Sequence, residues 1–224
     1  MIRQTTQAFL SSIEPSTLST PTTEEDPSDA IGEIGTLGLV YFPDNVLKQQ
    51  CQPVGEVTEE IKQLARDMLL TMMLEGGVGL AAPQVGKLLR IFVVDTRWPE
   101  NLDKSDPHIF INPEIIIPEG EEPILGLEGC LSFPGGRAKV ARHKTIKVKH
   151  LDGEGFPVET EATGFFARAI QHEMDHLDGK TIQGSISSFD MMNVRKTIQE
   201  KLRRRKREAK PTPRHHKKNV RKRY

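Results

Sequence analysis

Two cysteines, Cys51 and Cys130, are all that 224 residues contain, and they stand far apart. That usage excludes a disulfide-stapled secreted scaffold and points to a reducing compartment, with at least one thiol free for other chemistry. No apolar run approaches the roughly 20 residues that a membrane span requires, and the N-terminus lacks the apolar stretch of a secretory signal. A soluble, cytoplasmic protein with no membrane partner is the expectation. Net charge is lacking too, since 31 Lys and Arg balance 31 Asp and Glu. The balance is between regions: residues 195 to 224 hold 15 Lys or Arg against two acids, Glu200 and Glu208, so the tail carries +13 and the body −13.

The length suits one domain of ordinary size with tails at both ends. Residues 1 to 35 are rich in Ser, Thr and Pro, a composition that cannot bury enough apolar surface to offset ordering, so they read as a disordered N-terminal extension. Ten Ser or Thr among the first 23 residues would suit a transit peptide, but Arg3 is the one basic residue there. A mitochondrial or plastid destination is therefore the alternative to the cytoplasm. Residues 36 to 190 form the expected folded domain, and 191 to 224 a basic C-terminal helix and tail.

Within the domain, Leu37 to Phe42 reads as a short apolar strand closed by Pro43-Asp44. Between Thr58 and Leu74, Ile61, Leu64, Ala65, Met68, Leu69, Met72 and Met73 recur at spacings of three and four. This predicts an amphipathic helix with Thr58 as N-cap and Gly76-Gly77 at its end. Arg90 to Asp95 and His108 to Asn112 read as buried strands. Thr145 to Leu151 alternates apolar and polar residues, with a turn at Asp152 to Gly155. Helical and strand-like segments are segregated, which predicts an α+β fold, with antiparallel sheets packed around a central helix that carries the motif described next.

That motif is Gln171-His-Glu-Met-Asp-His176, a His-Glu-x-x-His sequence in a stretch whose flanks allow a helix. Residues four apart on a helix are offset by about 40°, so His172 and His176 share a face one turn apart and can grip one ion. Glu173 projects from the neighbouring flank, suited to act as a general base on a water beside that ion. The bland alternative is coincidence, at a chance of about one in a hundred for a chain of this length at ordinary residue usage. Two imidazoles leave a catalytic ion short of a third protein donor. Cys130, in Leu127-Glu-Gly-Cys-Leu-Ser132, is the leading candidate, although a lone cysteine is more often a small buried hydrophobe.

Three segments then occur in a telling order: Gly77-Val-Gly-Leu-Ala-Ala-Pro-Gln84, Glu128-Gly-Cys-Leu-Ser132 and Gln171-His-Glu-Met-Asp-His-Leu-Asp-Gly179. Together they resemble the peptide deformylase family across roughly residues 37 to 190. The resemblance implies a metal-dependent hydrolase that removes the formyl group from the N-terminal formyl-methionine of nascent polypeptides and releases formate. It assigns Cys130, His172 and His176 as ligands of one divalent metal, Fe²⁺ in the cell, with Zn²⁺, Ni²⁺ or Co²⁺ accepted. It makes Glu173 the catalytic carboxylate, and Gln84 with the backbone N–H of Leu131 the donors to the formyl oxygen. Gly79 would contact the substrate backbone, and Val78, Phe165 and Ala169 would line a pocket for the methionine side chain. The chemistry is consistent with these roles, because a dication lowers the pKa of an adjacent water and neutral N–H donors stabilise a developing oxyanion. Thiolate sulfur with two nitrogens suits Fe²⁺ as well as Zn²⁺.

Other residues admit two readings. Arg137 and Arg168 are either substrate-facing cations or ordinary surface charges. Asp175 and Glu128 are candidates to support the ligands through hydrogen bonds or ion pairs. Ser187 to Leu202 continues as a helix, capped by Asp190 or Ser188, with Met191, Val194, Ile198 and Leu202 as a narrow apolar stripe. Beyond it, Arg203 to Arg207 and Arg214 to Arg223 have little to bury and are expected to be mobile. Such a run of cations binds phosphate backbones without sequence preference, and because the resemblance implies a nascent-chain substrate, the ribosome is the expected partner. Two rival functions are weaker. A metallopeptidase would draw a third ligand from downstream, where His215 and His216 sit in the tail, and a structural zinc site would need four ligands.

Overall fold

The computed structural model describes residues 35–208. The extension expected over residues 1 to 35 and the cations from residue 209 onward lie, but for residue 35, outside the described residues. Three α-helices and seven strands are present among the described residues: α1 Glu59–Leu74, α2 Gly164–Leu177, α3 Ser188–Glu208, β1 Gly79–Ala81, β2 Ile91–Val94, β3 His108–Ile116, β4 Pro123–Glu128, β5 Ala138–His143, β6 Thr145–Leu151 and β7 Pro157–Thr163. One sheet runs β1-β2-β3-β6-β7 and a second pairs β4 with β5, every pairing antiparallel. The class is α+β, as the segregated pattern predicts.

Each predicted strand inside the larger sheet forms for the reason its sequence suggests. All four residues of β2 are buried, and in β6 Ile146, Val148 and His150 turn inward while Lys149 stays exposed. The turn after β6 is tied by Asp152, whose Oδ1 accepts from the N–H groups of Glu154 and Phe156, both at 2.9 Å. β3 runs past the expected limit at Asn112 because the chain absorbs a register shift between Ile111 and Glu114. Asn112 takes φ = 51° there, and its side-chain amide exchanges two 2.8 Å hydrogen bonds with the backbone of Val54.

Helix α1 follows the predicted span, with Thr58 at the N-cap position but without a side-chain capping bond. Its Ala65, Met68, Leu69 and Met72 are buried, and it packs on β1 and β2. The helix ends where Gly76 adopts φ = 74° and Gly77 N–H bonds back to the Met72 carbonyl at 2.9 Å. Leu37 to Phe42 forms no strand and joins no sheet. Its backbone instead meets irregular segments, with Val40 N–H on the Gln84 carbonyl and Phe42 N–H on that of Ser132.

Helix α2 rises directly from β7 and touches both sheets, packing against β1, β2, β5, β6 and β7. Ala167, Ile170 and Leu177 join Phe92, Phe110, Ile146 and Val148 in one buried cluster. Helix α3 is longer than expected. Its start is held by Ser187, whose hydroxyl accepts from Asp190 N–H at 3.1 Å, in place of a cap by Ser188 or Asp190. Val194 and Ile198 reach the core, whereas Leu202 is exposed. Arg203 to Arg207 is helical, and Arg205 reaches back to the carbonyl of Leu39 at 3.0 Å and the hydroxyl of Tyr41 at 3.2 Å.

Candidate metal centre

The two sheets and α2 bring together residues that the sequence separates by more than forty positions. His172, Glu173 and His176 are buried on α2, and Cys130 stands two residues beyond the end of β4. One ligand atom from each of Cys130, His172 and His176 falls within 4.8 Å of the others. Cys130 Sγ lies 3.2 Å from His176 Nε2. The two imidazole rings are 5.1 Å apart at centroids and nearly perpendicular at 79°.

His172 Nδ1 sits 2.9 Å from Glu128 Oε2. A carboxylate at that nitrogen accepts its proton and leaves Nε2 with the free lone pair, the form that ligates a metal. Two further atoms, His176 Nδ1 and Glu173 Oε2, are buried without a hydrogen-bond partner among the described residues. Buried orphan atoms are costly, and functional sites are where they concentrate. A sulfur and two nitrogens converging in this way, with Cys130 still partly open to a cleft, fits the three-donor set of a catalytic dication that keeps one position for water.

Electrostatics around the centre follow from burial. Desolvation pushes the carboxyl of Glu173 up to about 7, against the pull of His172. Glu128 goes the other way: burial opposes its charge, but hydrogen bonds from His172 and Arg142 outweigh burial and hold it at about 2. Arg142 contacts both Glu128 oxygens at 3.1 Å and gives its remaining arm to Asp175 at 2.6 Å. Cys51, by contrast, is packed among apolar residues, where burial raises its thiol to about 11.

A cleft of about 520 Å³ opens beside the centre. Val78, Gly79, Phe165 and Ala169 line it, together with Gln84 and Leu131. Phe165 is 59% exposed and so stands at the rim. A Cβ on Gly79 would collide with the Glu173 carboxylate, and one on Gly77 would come within 2.7 Å of Leu131 Cδ1, so both glycines permit close approach. Gln84 is buried and oriented. Its Oε1 accepts from Ala81 N–H at 2.8 Å, which turns Nε2 toward Cys130 Sγ at 3.5 Å and Ser132 Oγ at 3.3 Å. Phe133 N–H bonds the Cys130 carbonyl at 3.0 Å and fixes the turn that carries the Leu131 peptide.

Several participants carry no sequence signal of their own. Arg168 lines the cleft and is turned to Glu128, 2.7 Å from Oε1. Arg142 has no motif, and only its buried position on β5 marks it as inward-facing. Trp98 donates its indole N–H to the Gly77 carbonyl at 2.8 Å, from a loop knotted around Asp95, and so buttresses the cleft wall. Lys201 of α3 reaches the cleft and pairs with Glu75 at 2.7 Å.

A family model described as polypeptide deformylase matches residues 36–191. The chain is 44% identical over 165 residues to a peptide deformylase of Thermodesulfovibrio yellowstonii, covering 74% of this chain and 98% of that protein. It is also 44% identical over 174 residues to a peptide deformylase of Tolumonas auensis, covering 78% of this chain and all of that one. Among solved structures, a peptide deformylase from Legionella pneumophila is similar with a TM-score of 0.66 and 34% identity, over 79% of this chain and 100% of the other. One from Synechococcus elongatus in complex with actinonin is similar with a TM-score of 0.65 and 35% identity, over 73% and 88%. With a family model matched over most of its length and relatives aligned almost end to end, the chain belongs to the peptide deformylase family.

Proposed function

We infer that this chain is a metal-dependent hydrolase that removes the formyl group from the N-terminal formyl-methionine of nascent polypeptides and releases formate. The observation that carries the reading is the meeting of the Cys130, His172 and His176 donors beside the buried Glu173 carboxylate. Cys130, His172 and His176 hold one divalent metal on the helix that lies between the two sheets. A soft sulfur with two imidazoles suits Fe²⁺ as the native ion, with Zn²⁺, Ni²⁺ or Co²⁺ as substitutes. When bound, that ion supplies Lewis acidity to water and to the formyl oxygen.

The remaining steps belong to the chain's own side chains. Glu173 accepts a proton from the attacking water, whose oxygen adds to the formyl carbon. The formyl oxygen gains negative charge as this bond forms, and the neutral donors Gln84 Nε2 and Leu131 N–H meet it. Glu173 then gives its proton to the amine nitrogen as the C–N bond breaks, so formate and a free N-terminus leave. No covalent acyl-enzyme is required, and Cys130 serves as a ligand, not a nucleophile. Gly79 meets the peptide backbone, while Val78, Phe165 and Ala169 surround the methionine side chain.

The working division of the chain is an extension over 1–35, a catalytic domain over 36–190 and a basic C-terminal region over 191–224, acting in the cytoplasm. No helix among the described residues is long and apolar enough to cross a membrane. Exposed Arg203, Lys206 and Arg207 on α3 support docking to ribosomal RNA. Replacing these three by Glu should weaken co-sedimentation with ribosomes at low salt and spare hydrolysis of a short formyl-peptide. Unchanged co-sedimentation would remove this role.

The catalytic reading is tested with anaerobically metal-loaded protein and formyl-Met-Ala-Ser, measuring free amine. Glu173→Ala should lower kcat by about 10²- to 10⁴-fold while the metal stays bound. Wild-type turnover in that variant would contradict the acid and base role.

A further inference from the structure

Arg168 ties the helix of the paired histidines to both strands of the hairpin leading to Cys130, alongside the links of Gln171 to His143 and of Asp175 to Arg142. It sits one turn before His172 on α2. Its Nη1 donates to Glu128 Oε1 at 2.7 Å and to the carbonyl of Val140, on β5, at 2.9 Å. Its Nη2 donates to the carbonyl of Ile124, on β4, at 2.9 Å. The Arg168 side chain is only 13% exposed. Gly126 makes room for it: a Cβ there would lie 2.5 Å from the guanidinium carbon and 2.6 Å from Nη2. The only residue type that allows the contact thus occupies the strand position facing the guanidinium.

The consequence runs along two routes to the ligands. Glu128 accepts from Arg168 on one oxygen and from His172 Nδ1 on the other, so the arginine restrains the carboxylate that orients His172. Cys130 follows Glu128 by two residues, so the same grip sets the end of β4 relative to α2. Little apolar packing competes for that task, because Ile124, Leu125 and Leu127 of β4 are all exposed. A planar fork with several donors in fixed directions does what a lysine cannot, reaching a carboxylate and two carbonyls together.

We propose that Arg168, seated against Gly126, is a positioning residue for the metal centre: it sets the distance and orientation between Cys130 and the two histidines before the ion arrives. This rests on the reading of Cys130, His172 and His176 as the metal ligands. Pre-organisation of this kind appears as affinity, since a centre that must assemble its donors binds more weakly.

The test uses the full chain, freed of metal and titrated anaerobically with Co²⁺ against a competing chelator. Both affinity and the thiolate-to-cobalt charge-transfer absorption are followed. Arg168→Met should weaken Co²⁺ binding by about 10- to 100-fold. Arg168→Lys should fall between that variant and the wild type. Gly126→Ala keeps every charge yet displaces the guanidinium, and should reproduce most of the loss. Combining Gly126→Ala with Arg168→Met should cost no more than Arg168→Met alone, because the clash has lost its partner. A purely structural role would lower the unfolding temperature of the metal-free protein without this pattern in affinity. Absence of the thiolate band in the wild type would overturn the ligand assignment itself. A normal wild-type band with unchanged affinity in Arg168→Met, or strictly additive losses in the double variant, would overturn the role of Arg168 alone.

Discussion

In the five-stranded sheet, Phe92, Phe110, Ile146 and Val148 are fully buried against α2, whereas in the two-stranded sheet Leu125 is 73% exposed and Leu127 60% exposed. The larger sheet is held by a dry apolar core. The hairpin of β4 and β5 is held to α2 by ions and carbonyls: Glu128, Arg142, Arg168 and the backbone oxygens they meet. The difference separates two tasks. Apolar burial supplies stability without direction, while charge-assisted hydrogen bonds fix orientation and contribute less net energy. The histidines ride on the element packed by the first, and the cysteine follows a strand aligned by the second.

The contrast predicts the largest stability loss on the apolar side. Phe110→Ala should cost about 3 to 5 kcal/mol in urea denaturation, because Phe110 stacks on Phe92 with ring centroids at 4.7 Å and is fully buried. A loss below about 1 kcal/mol, in the range of ordinary substitutions, would break the comparison.

Next in size is an effect of the opposite sign at the site. Burial raises the carboxyl of Glu173 from 4.5 to about 7, so the fold favours its protonated form. That contribution is fully present below 4.5 and is lost as pH rises through about 7. In the metal-free protein at pH near 8, Glu173→Gln should therefore be more stable than the wild type, by on the order of 3 kcal/mol. The advantage should shrink as pH falls and vanish below 4.5. Equal stability of the two proteins across this range would show that the carboxylate is better solvated than its surroundings indicate.

On the ionic side, Glu128→Gln should weaken metal affinity by about 10- to 100-fold, read by chelator competition. The smallest effect is expected at the exposed strand. Leu125→Ala should change stability by less than about 0.5 kcal/mol. A larger loss there would mean that the hairpin carries an apolar contact of its own.

The same contrast explains what was legible in the sequence. α1 and β6 announce themselves because the core imposes a period of 3.6 or 2 on the residues that face it, and β2 because burial of all four residues gives an unbroken apolar run. His172, Glu173 and His176 are legible because one helix presents them together. β4 is not, since Pro123 to Leu127 is exposed almost throughout and no alternation survives, and β7 is a largely polar edge strand. Arg142 and Arg168 could not be told from surface arginines, because their partners come from other elements. Leu37 to Phe42 has the composition of a strand, but its hydrogen bonds go to the Gln84 and Ser132 carbonyls near the site, and no ladder forms. Gly77 is legible as part of the Gly76-Gly77 end of α1, and Gly79 through the family resemblance. Their close packing on Leu131 and Glu173 becomes evident only in three dimensions.

X-ray absorption at the metal edge of the reconstituted protein reads the donor set of the centre itself. With Cys130, His172 and His176 as ligands, the zinc form should show one sulfur scatterer at about 2.3 Å and two imidazole nitrogens at about 2.0 to 2.1 Å, with the sulfur shell lost in Cys130→Ser. A first shell of nitrogen and oxygen alone in the wild type would contradict that ligand set.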